Sequence, residues 1–191
     1  MDKEFKFNFH LDQNIALCTS KLMLFRKVRK YIDLRTSILI MKQMILPYFD
    51  NGLIFLTVCP KTRFQKLQKL LSWGLRIIAK ERSADSDALM ALFNFLPVRK
   101  RLRYFEITFM CRLILRSYIE LSEKKSTRSD AKMLVPICKP DTEFQKRTCP
   151  YSVRKTWNSV PAELYKDASQ KAFKSRTKKF LIQLPNCSFR S

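Results

Sequence analysis

Apolar residues along this chain recur at helical spacing from near its start to its last apolar stretch. Over residues 15–31 the stripe runs Ile15, Cys18, Leu22, Phe25 and Val28, with Lys21, Arg26, Lys27, Arg29 and Lys30 on the other side. Asp33 is placed to cap a second helix. Residues 38–46 within it are apolar almost all round, interrupted only by Lys42 and Gln43, the pattern of a helix buried in the middle of a bundle. Pro47 ends or bends that helix, and a third apolar piece over residues 49–59 closes at Pro60. The clearest periodicity follows: Phe64, Leu67, Leu71, Leu75 and Ile78, with Lys61, Arg63, Lys66, Lys69 and Arg76 off the stripe.

Residues 83–87 read as a polar loop and 88–93 as a short helix. Pro97 stands where a first-turn proline belongs, ahead of a helix marked by Leu102, Phe105, Phe109 and Leu113 and reaching about residue 121. Periodicity is lost from 122 to 130, where polar and charged residues crowd. The organisation expected is a helical bundle over 1–122, a linker or surface loop over 123–132, and a C-terminal segment over 133–185. In that segment, residues 133–137 and 142–148 suit two short strands in a hairpin across Lys139, Pro140 and Asp141. A helical turn follows over 151–157, Pro161 opens another, and Ser169 caps a last helix with Phe173, Phe180 and Leu184 inward. The fold class is therefore mainly α, a helical bundle with a short β-hairpin and extra helices near the C-terminus. No apolar run approaches the ~18 residues of a membrane span, so a soluble chain with no membrane partner is expected.

Charge narrows the function. The 191 residues hold 38 Lys and Arg against 16 Asp and Glu, a net charge of +22. The basic excess is +4 over 1–60, +9 over 61–130 and +9 over 131–191, so it is not confined to one tail. A chain so unbalanced repels itself without an anionic partner, and nucleic acid is the commonest such partner. Only Gly52 and Gly74 are glycine, which excludes phosphate-binding and dinucleotide loops built on several glycines. The six cysteines (18, 59, 111, 138, 149 and 187) include no close pair, and His10 is the only histidine. Zinc sites and Ser-His-Asp or Cys-His catalysis are disfavoured accordingly. The first ten residues carry Asp2, Lys3, Glu4 and Lys6 with no apolar run. The expectation is of free thiols in a reducing intracellular compartment, nuclear or cytoplasmic, and of a chain that is not secreted.

Several short words along the chain then converge. Leu24-Phe25-Arg26-Lys27-Val28-Arg29-Lys30, Ile45-Leu46-Pro47-Tyr48-Phe49-Asp50, Lys66-Leu67-Gln68-Lys69 and Arg76-Ile77-Ile78 come first. Leu96-Pro97 with Arg99-Lys100-Arg101, Val135-Pro136, Tyr151, Trp157-Asn158-Ser159-Val160-Pro161 and Phe173-Lys174 follow. In order and spacing, over residues 10–182, they resemble the C-terminal part of the reverse transcriptase of animal non-LTR (LINE-like, jockey-type) retrotransposons. No single word is specific; the series is.

The resemblance implies the thumb and post-thumb portion of such an RNA-directed DNA polymerase, separated from the palm that carries the catalytic aspartates. No Asp-Asp pair occurs, and two-metal polymerisation needs carboxylates that hold both cations about 4 Å apart. Asp85 and Asp87, the nearest pair, read as loop solvators or a helix cap. No catalytic residue, metal or cofactor is therefore expected, and the chain is not an enzyme by itself. A thumb holds its template–primer by phosphates, through Lys and Arg on helix faces. The candidates are Arg26, Lys27, Arg29 and Lys30, then Lys66 and Lys69, then Arg99, Lys100, Arg101 and Arg103. Expected partners are RNA or an RNA–DNA duplex, bound without sequence preference, and a polymerase palm supplied by another chain. Trp73 and Trp157 read as core residues rather than base-stacking platforms, with Trp157 packing the C-terminal segment. Two rival readings stand beside this one: an inert translated relic, and a co-opted module that docks on an acidic protein.

Overall fold

A computed structural model describes residues 8–51, 53, 61–116, 122–123, 133–137, 139–142, 145, 148–164 and 169–184. The fold is mainly helical, and the chain divides between Arg99 and Lys100 into two compact units. The apolar piece expected at 49–59 lies, from residue 54 onward, outside the described residues, as do positions 124–132 of the expected linker and 117–121 of the helix that precedes it.

The first unit opens with α1 (Asn8–Val28), continued by a 3-10 turn over Arg29–Tyr31. Leu11, Cys18, Leu22 and Phe25 are buried along one face of it. The last position of that stripe is not the one expected. Val28 is 48% exposed, whereas Arg29 is 7% exposed and takes the inward place. Asp33 caps α2 (Leu34–Ile40), its Oδ2 accepting from the Arg35 and Thr36 amides at 3.1 and 3.3 Å. Those bonds favour the carboxylate and hold the Asp33 carboxyl below its usual range, with Thr36 the largest influence.

Helix continues from α2 through a π turn over Met41–Ile45 into α3 (Leu46–Asp50). The Leu46 amide reaches back five residues to the Met41 carbonyl. One extra residue in the turn accommodates Pro47, which has no N–H to donate, so the proline neither stops the helix nor needs the usual i−4 partner. This run is not buried all round as its composition suggests: Met41, Ile45, Leu46 and Phe49 are inside, but Leu39 and Met44 are 46% and 56% exposed. Its packing against neighbouring helices is therefore one-sided.

Those helices meet at α4 (Lys61–Ala79), which packs against α1 and α2 with Leu67, Leu71, Leu75 and Ile78 inward. The helices approach closely at Gly74. A Cβ there would stand 2.6 Å from Met41 Cε and 3.1 Å from Leu22 Cδ2, so the missing side chain is what lets both neighbours in. With glycine this scarce, the left-handed residue that ends a helix is supplied by other types. Lys80 (φ 62°) ends α4 and Asn94 (φ 57°) ends α5 (Ser86–Leu92). In each case two amides fold back on the last turn: Lys80 to Ile77 and Glu81 to Arg76, then Asn94 to Ala91 and Phe95 to Met90. Asp85 caps the start of α5 by accepting from the Ala88 amide at 3.1 Å.

The second unit is built on α6 (Val98–Leu115), whose first two residues belong to the first unit. Its buried face is offset from the expected one. Lys100, Glu106, Ile107 and Met110 are inside, while Phe109 is 40% exposed. Two-residue strands follow, β1 (Ser122–Glu123) and β2 (Met133–Leu134), paired antiparallel with Ser122 opposite Leu134. This replaces the hairpin expected across Lys139, Pro140 and Asp141. Of the second strand expected over 142–148, positions 143, 144, 146 and 147 lie outside the described residues; Gln145 accepts from the Thr148 amide at 3.1 Å and its own amide donates to Thr142 Oγ1 at 3.2 Å, both local turn bonds. The upstream strand pairs backward instead.

Next come α7 (Cys149–Asn158), a 3-10 turn over Ala162–Leu164, and α8 (Gln170–Gln183), capped by Ser169, whose hydroxyl accepts from the Ala172 amide at 3.3 Å. Trp157 is buried with its ring centroid 6.1 Å from that of Phe173. It belongs to the core, as its pattern suggests. Asn158 serves Val135 as a neighbouring strand would, accepting from its amide at 3.0 Å and donating to its carbonyl at 2.9 Å.

Candidate nucleic-acid interface

The ten basic residues singled out in the sequence separate into two kinds. Arg26, Lys27, Lys30, Lys66, Lys69 and Arg99 are exposed, all in the first unit. Arg26, Lys27 and Lys30 cluster at the C-terminal end of α1 and in the 3-10 turn after it, where cations also complement the partial negative charge of a helix end. Lys66 and Lys69 stand on the outer side of α4.

Arg29 is not a contact residue. Its Nε and Nη2 donate to the Ile78 carbonyl at 3.0 and 2.6 Å, and its Nη1 to the Ile32 carbonyl at 2.8 Å. The guanidinium closes the C-terminal ends of α4 and of the 3-10 turn, and burial removes it from any phosphate.

Lys100 does the same in the second unit. It is buried, and its Nζ donates to the carbonyls of Ile182, at 3.3 Å, and Leu184, at the end of α8. Arg101 is half-buried with its guanidinium 5.7 Å from the centroid of Phe105. Arg103 is half-buried as well. Burial lowers its pKa while the nearby Glu106 carboxylate opposes that shift. The run Arg99, Lys100, Arg101 and Arg103, expected to act as one contact, thus contributes one exposed side chain.

Glu106 organises the polar interior of the second unit. Ser152 Oγ donates to its Oε1 at 2.5 Å and Thr156 Oγ1 to its Oε2 at 2.8 Å. Burial still dominates and pushes the carboxyl above its ordinary range, against the pull of those hydroxyls and of Arg103.

Three cysteines lie among the described residues. Burial pushes Cys18 up to about 12, against the pull of Lys21, and also raises Cys111 and Cys149. Each is therefore a neutral thiol at physiological pH. Asp85 is a helix cap, and among the described residues no three His, Cys, Asp or Glu side chains converge as metal ligands. His10 is tied into the fold, its Nε2 3.1 Å from Asn14 Nδ2, which also donates to the Asn51 carbonyl at 3.4 Å.

Trp73, read in the sequence as core rather than as a base-stacking platform, is half-buried on the side of α4 away from Leu71 and Leu75, in line with Lys66, Lys69 and Arg76. The signal was available: Trp73 lies two residues from each of those leucines, which on a helix means the opposite face.

No protein-family model, curated protein or solved structure matches this chain.

Proposed function

We propose that this chain is a thumb-type nucleic-acid-binding protein, related to the thumb and post-thumb region of non-LTR retrotransposon reverse transcriptases and without polymerase activity of its own. It binds RNA or an RNA–DNA duplex through phosphates and without sequence preference. The observation that carries the reading is the division among the basic residues. Folding engages Arg29 and Lys100 internally but leaves Arg26, Lys27, Lys30, Lys66, Lys69 and Arg99 exposed on one compact unit. Side chains of that kind contact phosphates as point charges and carry no information about base order. The palm that would supply metal-binding carboxylates is, on this reading, provided by another chain.

Competition tests it. A labelled RNA–DNA duplex bound to the chain is displaced equally well by unlabelled duplexes of unrelated sequence, and addition of magnesium and nucleotides yields no extension product. Strong preference for one sequence would contradict phosphate-based binding, and primer extension by the chain alone would contradict the non-catalytic assignment.

A further inference from the structure

The outer face of α4 combines charge with an aromatic ring. Lys66, Lys69, Trp73 and Arg76 follow one another at steps of three, four and three residues, the spacing that keeps side chains in line on a helix, and Lys80 is the left-handed residue just past its end. Lys66, Lys69 and Lys80 are exposed, while Trp73 and Arg76 are half-buried. Arg76 is tied at the C-terminal end of this line by its Nε, which donates to the Ala84 carbonyl at 3.2 Å. At 1.5 Å of rise per residue the line from Lys66 to Arg76 extends about 15 Å.

The chain's other tryptophan gives the contrast. Trp157 is 3% exposed and packs beside Phe173, where its area stabilises a core. Trp73 has one turn of basic residues on either side and only part of its surface covered. A large aromatic left partly in water between cations suits a ligand that is both anionic and flat-faced.

We propose that this line is a track for single-stranded nucleic acid, with Trp73 stacking on a base while Lys66, Lys69, Arg76 and Lys80 follow the phosphates. The inference rests on the nucleic-acid reading above and adds the strandedness of what this face binds. In a duplex the base faces are covered by their neighbours and the ring has nothing to stack on. In a single strand they are open, and stacking is indifferent to sequence because every base presents a π-face.

The test uses the full chain and two labelled probes, an oligothymidylate of about 12 nucleotides and an abasic oligomer of equal length, which has the same phosphates and no bases. Tryptophan emission is followed alongside anisotropy, with buried Trp157 as a constant background. The expected result is quenching by the oligothymidylate alone, with about ten-fold tighter binding than the abasic probe. Trp73→Leu removes both the quenching and the preference, and Trp73→Phe restores the preference. Equal affinity for the two probes with unchanged wild-type emission would overturn the stacking track and leave phosphate binding standing. Failure of both probes and of the duplex to bind at low salt would overturn the track together with the reading beneath it.

Discussion

Arg29 closes α4 from 49 residues away, its guanidinium donating two hydrogen bonds to the carbonyl of Ile78. The Lys80 and Glu81 amides satisfy the Ile77 and Arg76 carbonyls, so the end of α4 is finished by two backbone bonds and one side chain. Arg29→Leu keeps the apolar stem but leaves the Ile78 and Ile32 carbonyls unsatisfied. It is expected to destabilise the chain by about 3 kcal/mol in a denaturant titration while leaving the salt dependence of RNA binding unchanged. A variant as stable as the parent but weaker in binding would place Arg29 among the contacts after all.

The basic run that opens α6 should divide in the same way. Lys100→Met removes the group that caps α8 and is expected to lower the midpoint of thermal unfolding, by an amount corresponding to about 2 kcal/mol, with little change in affinity. Arg99→Gln is expected to do the reverse, leaving the melt intact and reducing the slope of log affinity against log salt by about one. Replacing all four residues of the run together would confuse the two effects.

These pairs show where the sequence is legible. The α4 stripe, the Asp33 and Ser169 caps and the core role of Trp157 follow from local pattern alone, because a helix face or a cap involves residues only a few positions apart. Arg29 and Lys100 do not, since each answers to a helix end 49 or 82 residues further on and nothing nearby announces it. The strand at Met133–Leu134 has the right propensity, but its partners, Ser122–Glu123 behind it and the Asn158 amide beside Val135, lie far along the chain. Of the candidate site, the exposed cations of α1 and α4 were readable as the polar side of an amphipathic pattern. Trp73 was read as core because an aromatic at helical spacing usually is; it is half-buried, and its phase relative to Leu71 and Leu75 sets it on the other side of α4.

Glu106 gives the second unit a pH dependence of definite sign. Burial raises its carboxyl above the ordinary value, so the folded chain retains a proton that the unfolded chain has released. The stability it contributes is complete below an ordinary glutamate pKa of about 4.3 and is lost as the pH rises through the raised folded value. Glu106→Gln keeps acceptor and donor atoms near Ser152 and Thr156 without the titration. Denaturation midpoints compared between about pH 4 and 7 should fall less steeply for this variant than for the parent. Parallel curves would mean that Glu106 is not the group responsible.

Thr177 lies on α8 with 0% exposure, and its hydroxyl has no hydrogen-bond partner among the described residues. Thr177→Val substitutes a methyl group of similar shape for that buried hydroxyl and is expected to stabilise the fold by about 1 kcal/mol. A loss of stability in the same denaturant titration would show that the hydroxyl is satisfied in solution.

The central claim is that exposed cations on one compact unit hold a nucleic-acid backbone. Fluorescence anisotropy of a labelled RNA–DNA duplex, titrated with the chain at several salt concentrations, tests it most directly. If the six exposed candidates each neutralise a phosphate, log affinity falls linearly with log salt with a slope of about −5. Replacing Lys66 and Lys69 by Gln should then reduce that slope by about two. Absence of binding at low salt, from a folded chain of net charge +22, would contradict the account and favour a relic with no retained activity.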